Sequence, residues 1–331
     1  MALRSPTAAP KARATAPRIL YVGGFSRSGS TLLGRVLGES SGAICVGETR
    51  YLWQRGAIHN VRCGCGEDFR DCPFWRAVGE QAFGGWHRAQ VERLAGIDQR
   101  INRLRSLPLH RFGSLQPEFA AVTADYADQL ARLYLAIAKV SGASTVVETS
   151  KDPNFAWVLT RMPGYDVRIV HLVRDSRAVA CSWMAPKRMA SPIGGEAYMP
   201  RLAVHNTATR WTIANSAFHA LAARAPYIRC TYEGFVRDPR ACLRELDALC
   251  SGSLGFPAER LDGDRVLLGE HHIFSGNPMS ERVGWVQIRP DERWRIELSA
   301  AQAATVTALS WPLLRSYGYP IAVLGRGNRD R

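Results

Sequence analysis

The sequence predicts an α/β protein built on a doubly wound parallel sheet, and three observations carry that expectation. Short apolar runs rich in strand formers recur at 19–22, 43–46, 145–147, 167–173 and 227–231. Segments with helical spacing of apolar residues follow them, at 30–37, 117–140, 154–162, 176–183, 202–223, 235–250 and 300–317. Strands that alternate with helices imply parallel pairing through crossovers. A glycine- and serine-rich loop, 23–29, joins the first strand to the first helix.

That loop is the stretch around which the chain is organised. It reads Gly23-Gly24-Phe25-Ser26-Arg27-Ser28-Gly29, and the helical pattern begins at Ser30 with Leu32, Leu33, Val36 and Leu37 on one face. Glycines let backbone N–H groups point inward, and a helix start adds unpaired donors and a positive dipole end. The spacing Gly24-x4-Gly29 is P-loop-like, but Ser30 stands where a Walker A loop has lysine, and the basic charge has moved to Arg27. Such a loop suits a terminal 5′-phosphate or sulfophosphate better than triphosphate hydrolysis. A ligand-free βα turn would not need an arginine among small residues.

Down the chain, 43–46 ends at Gly47-Glu48-Thr49-Arg50, and 145–147 ends at Ser150-Lys151-Asp152-Pro153. The segment 51–113 does not read as part of the alternation. It carries Cys63-Gly64-Cys65-Gly66 and Cys72-Pro73-Phe74-Trp75, then amphipathic pieces, and is expected to be a Cys-containing helical insertion on the acceptor side. Residues 117–140 are a helix through Phe119, Val122, Tyr126, Leu130, Leu133 and Ile137. The run 167–173 is the most strand-like, and Arg174-Asp175 closes it. Residues 184–199 are a Gly/Pro-rich loop, and 261–294 reads as a long irregular loop, a feature that is usually functional or disordered. The expected organisation is one domain, 18–320, between a disordered basic tail at 1–17 and a flexible tail at 321–331.

Composition narrows the classes. The 331 residues include 46% hydrophobic side chains, enough to bury a full core, and the formal net charge is +14. A basic chain suits anionic ligands or nucleic acid. No basic run interleaved with aromatics, zinc-finger spacing or helix-turn-helix pattern is present, so no nucleic acid is the expectation. Only four residues are lysines: Lys11, Lys139, Lys151 and Lys187. No apolar stretch is long enough to span a bilayer, and the first seventeen residues lack the apolar segment of a signal peptide. A cytoplasmic protein is expected, and the eight cysteines are not expected to pair.

In an open parallel sheet, ligands sit at the carboxyl ends of the strands. Here the residues after successive strands are the Arg27 loop, Glu48, Lys151, Arg174 and Tyr232. One carboxylate, three cations and a phenol would share one edge.

The same residues carry a family resemblance. Gly24-x-x-Arg27-Ser28-Gly29-Ser30-Thr31-Leu32-Leu33 looks like the 5′-phosphosulfate loop of sulfotransferases that use 3′-phosphoadenylyl sulfate (PAPS). Val173-Arg174-Asp175-x-Arg177-Ala178-Val179-x-x-Ser182 resembles their 3′-phosphate motif. Gly47-Glu48-Thr49-Arg50 and Lys151-Asp152-Pro153 are similar to motifs of the protein-tyrosine branch, so the chain looks like a bacterial member of this family. The resemblance implies the sulfotransferase fold, in-line sulfuryl transfer to a hydroxyl, and release of adenosine 3′,5′-bisphosphate (PAP). It implies Glu48 as the base, and Lys151 and Arg27 as the groups that offset charge on the leaving phosphate and the sulfuryl oxygens. Ser28, Gly29, Ser30 and Thr31 would hold the 5′-phosphate, and Arg174 and Ser182 the 3′-phosphate. Tyr232, Arg282 and Arg289 would close over the nucleotide. No metal is required in this scheme. The acceptor is expected to be a phenol or alcohol of a small molecule, glycolipid or natural product; a homodimer is compatible with it.

Other readings of single residues stay open at this point. Glu48 could pair with Arg50, Arg174 could pair with Asp175 on the surface, and Asp152 with Pro153 could simply start a helix. His171 and His205 are the alternative bases, His171 from inside a strand. Cys63, Cys65 and Cys72 could hold zinc with a fourth ligand such as Cys45 or His59, or be buried thiols. A P-loop kinase and a non-catalytic phosphate-binding module are the rival functions.

Overall fold

The computed structural model describes residues 16–112, 116–189 and 198–321. The expected tails lie almost wholly outside these residues, as does much of the expected 184–199 loop. The first half runs β1 (Arg18–Gly23), α1 (Ser30–Gly38), β2 (Ala43–Gly47), α2 (Pro73–Phe83), α3 (Arg88–Ile101), α4 (Leu107–Phe112), α5 (Pro117–Ser141), β3 (Thr145–Glu148) and α6 (Pro153–Leu159). The second half runs β4 (Val167–Val173), α7 (Ser176–Met184), α8 (Val204–Leu221), β5 (Tyr227–Thr231), α9 (Tyr232–Arg237), α10 (Pro239–Leu249), β6 (Leu261–Asp262), β7 (Arg265–Leu268), β8 (Gly284–Gln287), α11 (Trp294–Glu297) and α12 (Ala300–Ser316).

Five strands form one sheet in the order β2-β3-β1-β4-β5, and every pairing is parallel. Side chains on a strand alternate between faces, and β1 shows the consequence. Ile19 and Tyr21 enter the core shared with α5, α6 and α8, whereas Leu20 and Val22 enter the core shared with α1 and α10. Both faces are covered, which is why the strands read as continuous apolar runs.

Two expectations need correction. The single helix expected over 235–250 is two, α9 and α10, because Pro239 has no N–H to continue a helix and Asp238 caps the second one by accepting from Ala241 N at 2.8 Å. The irregular loop expected over 261–294 contains an antiparallel sheet, β6-β7-β8. Its tight turn is at Asp262-Gly263-Asp264, where Gly263 takes φ 55°, a hairpin signal written in the sequence.

The 51–113 segment packs against α5 through Trp53, Trp75, Val78 and Leu94. Its first stretch, Leu52–Ile58, is wound as a π-helix, with His59 N–H donating to Gln54 O at 2.9 Å. No helix among the described residues is long and apolar enough to cross a membrane.

Candidate active site

The β1–α1 loop is shaped by close approaches. Gly24 has φ 132°, and a Cβ there would lie 2.2 Å from Leu172 O. Gly29 has φ 93°, and its Cβ would meet the Tyr232 ring at 2.4 Å. The loop is therefore pressed between the end of β4 and the first residue of α9. Gly29 caps α1 without a side chain, and the first turn holds no acidic residue. The opening amides of α1 thus have neither an intrahelical acceptor nor a carboxylate. Arg27 takes φ 74°, a conformation that costs about 1–3 kcal/mol for a residue with a Cβ.

Arg174 comes to this loop from the end of β4. Its Nη1 donates to Arg27 O at 3.0 Å, and its guanidinium lies 4.6 Å over the Tyr232 ring. Asp175 does not pair with it. Asp175 instead caps α7 and grips the buried Arg177 through two hydrogen bonds of 2.9 and 2.7 Å. Arg174 Nη2 reaches the Asp291 carboxylate at 2.9 Å. Ser182 also belongs here, because its carbonyl accepts from Arg27 Nη1 at 3.2 Å.

The sequence reading missed Lys187, Asp291 and Arg293. Burial, and then the charges of Arg27, Arg174 and Arg293, lower the Lys187 ammonium to about 8. Burial works against ionising Asp291, but hydrogen bonds from Arg293 and Arg174 hold its carboxyl well below the usual range. Arg174 and Arg293 thus share one carboxylate, and Lys187 stands among the charges of Arg27, Arg174 and Arg293. Within the cluster, Arg27 Nε and Nη2, Ser28 Oγ and Arg174 Nε are buried without a hydrogen-bond partner among the described residues. Buried donors left unpaired are costly, and an anion in their midst removes the cost. The scarcity of lysine was the one available signal for Lys187.

At the other end of the edge, Lys151 Nζ is ion-paired with Glu48 Oε1, and both side chains are only 11% exposed. Lys151 takes φ 65°, so both candidate cations that flank the sulfuryl position in the expected scheme sit in strained backbone. Arg50 turns away from Glu48 and pairs with Asp152 and Asp98. Asp152 caps α6, accepting from Asn154 N at 2.8 Å and Phe155 N at 3.3 Å. Behind the pair, the buried Glu148 accepts from Tyr134 OH at 2.7 Å, from Ser150 N at 2.8 Å and from Thr49 Oγ1. Burial raises the Glu148 carboxyl despite these donors. This network ties the turn that carries Glu48 to the strand end that carries Lys151. A cavity of about 370 Å³ opens beside Lys151, lined by Phe25, Ser26, Tyr51, Leu104 and Arg210 among others.

Other candidates fall elsewhere. Arg282 and Arg289 are exposed. What they contribute inward is backbone: Arg282 O accepts from Arg35 Nη1 at 3.1 Å, and Arg289 O from Tyr232 OH at 2.9 Å. His171 is buried, with Nδ1 2.6 Å from Tyr227 OH and Nε2 2.7 Å from Asn215 Oδ1. Burial drives its pKa down to about 3, so it is a satisfied core residue and not a base. His205 is exposed at the start of α8. Cys63, Cys65 and Cys72 do converge, but with His272. Neither fourth ligand suggested by the sequence joins them: Cys45 lies under α1 and His59 ends the π-helix.

The curated proteins yield no significant match. Among solved structures, the sulfotransferase domain from the curacin biosynthetic pathway aligns at 14% identity and TM-score 0.48, covering 93% of this chain and 100% of that one. The sulfotransferase domain from the Synechococcus olefin synthase aligns at 18% identity and TM-score 0.44, covering 97% and 99%. A sulfotransferase from Mycobacterium tuberculosis aligns at 15% identity and TM-score 0.39, covering 71% and 68%. A profile described as "Sulfotransferase family" matches residues 17–251, more than half of the chain. On that match, the protein belongs to the sulfotransferase family.

Proposed function

We propose that the protein moves a sulfuryl group from PAPS to a hydroxyl of a small molecule, glycolipid or natural product, and that it does so in the cytoplasm. The observation that carries this reading is the cluster of Arg27, Arg174, Lys187 and Arg293, in which Arg27, Arg174 and the adjoining Ser28 hold buried polar atoms with no partner among the described residues. A ligand with phosphate at both ends of an adenosine satisfies such a cluster, and a triphosphate at a lysine-free loop does not.

The donor, when bound, supplies the sulfuryl group and a stable leaving phosphate. The amides of Ser28, Gly29, Ser30 and Thr31, with the Arg27 guanidinium, hold its 5′ end against the start of α1. Arg174, Ser182 and Lys187 hold its 3′-phosphate, and Tyr232 fixes Arg174 from behind. Glu48 takes the proton of the acceptor hydroxyl. Lys151, already paired to Glu48, orients that carboxylate and offsets negative charge on the transferring group. The cavity beside Lys151 receives the acceptor, with Phe25, Tyr51 and Leu104 as its apolar wall.

The test is transfer of label from ³⁵S-PAPS to a panel of phenols and alcohols without added metal. Labelled product that disappears in Glu48→Gln supports the reading. Magnesium-dependent turnover of ATP, with no transfer from PAPS, contradicts it and favours a kinase.

A further inference from the structure

We propose that Cys63, Cys65, Cys72 and His272 form a structural zinc site that fastens the 51–113 segment to the loop after β7. The four side chains offer one ligand atom each, and these atoms lie within 4.8 Å of one another. Cys65 Sγ and Cys72 Sγ are 3.6 Å apart, and His272 Nδ1 lies 3.3 Å from Cys72 Sγ and 4.0 Å from Cys63 Sγ. Ligands on a tetrahedral zinc sit about 3.8 Å apart for two sulfurs and about 3.5 Å for sulfur and nitrogen, given the usual bond lengths. The spacings here scatter about those values. Three thiolates and an imidazole are also a common donor set of structural zinc.

The surroundings fix the ligands in that arrangement. The His272 ring stacks on Phe74 at 4.7 Å with the planes 9° apart. Trp75 Nε1 donates to His272 O at 2.7 Å. The ring is thereby held with Nδ1 toward the thiols, as outer partners hold metal-bound histidines. The Cys-x-Cys turn docks on the same loop, with Gly64 N–H donating to Ile273 O at 2.9 Å. A Cβ on Gly64 would lie 2.0 Å from the His271 ring, so glycine is required for the approach.

The site also has a reason to exist. Ile273, next to the ligand histidine, packs on Gly47, where a Cβ would meet it at 2.6 Å. Gly47 precedes Glu48. The ion thus locks the loop that covers the turn carrying the proposed base. This inference does not depend on the identity of the donor. On binding, each thiol gives its proton to solvent and the imidazole binds neutral, so Zn²⁺ with three thiolates carries one net negative charge.

The test begins with protein purified without a polyhistidine tag and analysed by inductively coupled plasma mass spectrometry. About one zinc per chain is expected, and Cys72→Ser and His272→Ala should each lose most of it. Cobalt substitution of the wild-type chain supplies a readout that needs no variant to fold. It should give thiolate-to-cobalt charge transfer and the intense visible bands of a tetrahedral centre. Removing the metal with a chelator should lower the melting temperature. Zinc content near zero, iron in its place, a Cys65–Cys72 disulfide in the purified protein, or an octahedral cobalt spectrum would overturn the proposal.

Discussion

Arg174 Nη1 donates to the carbonyl oxygen of Arg27 at 3.0 Å, across 147 residues of sequence. The contact joins the end of β4 to the loop after β1, and so joins the two phosphate grips of the proposed donor site. Arg174→Ala should weaken PAP binding by about 10–100-fold, the range expected for one charge-assisted phosphate pair of about 1.5–3 kcal/mol. Turnover at saturating donor should change much less. Titration calorimetry and steady-state kinetics check both halves. Unchanged PAP affinity would remove Arg174 from the 3′-phosphate site.

Lys187 should make the affinity for the proposed donor depend on pH. Its ammonium is lowered to about 8 in the free protein by burial and by the neighbouring arginines. A bound phosphate favours the charged form and raises that value. Binding above about pH 8 must therefore take up a proton, and affinity should fall as pH rises through this range, by at most about tenfold per unit. Below it, Lys187 is already charged and its contribution levels off. Calorimetry in buffers of different ionisation enthalpy measures the uptake, and Lys187→Met should abolish it.

Glu48→Gln keeps the shape of the site but cannot accept a proton. Turnover should drop by about 10²–10⁴-fold, the usual contribution of a general base, with PAP affinity within a factor of about three. Lys151→Ala should likewise lower turnover more than donor affinity. Equal losses in affinity and rate for both variants would mean that the pair supports structure and not chemistry.

Tyr134 should act on the proposed base from behind, as a positioning residue. Its hydroxyl lies 2.7 Å from both Glu148 Oε2 and Thr49 Oγ1. Tyr134→Phe leaves a buried carboxyl short of a donor and should cost about 1–3 kcal/mol of stability. Turnover should fall and PAP affinity should hold, because Thr49 adjoins Glu48 and not the phosphate grips. A denaturant titration beside the kinetics separates the two effects.

The strand order could not be read from the sequence, but the strands could, because buried parallel strands write themselves as apolar runs. The loop at 23–29 was legible from its glycines, and the residues after each strand followed from the rule that ligands gather at carboxyl ends. The parts that escaped lack such a local signature. Lys187, Asp291 and Arg293 lie in segments without periodicity, and only the fold brings them to Arg174. His272 is about 200 residues from Cys72, so the fourth partner of a visible cysteine cluster stayed hidden. Arg282 and Arg289 have exposed side chains, and the contacts they make inward are through their carbonyls, a feature that no sequence pattern announces. The β6-β7-β8 sheet was missed because its strands are two to four residues long, too short for alternation to register.

The most direct test of the central claim is a calorimetric titration of the wild-type protein with PAP, AMP and ATP at one pH and salt concentration. The account predicts that PAP binds at least about 30-fold more tightly than either competitor, since only it carries phosphate at both ends of the adenosine. Equal affinity for AMP and PAP would mean that Arg174 and Lys187 hold no phosphate, and a preference for ATP would contradict the donor altogether.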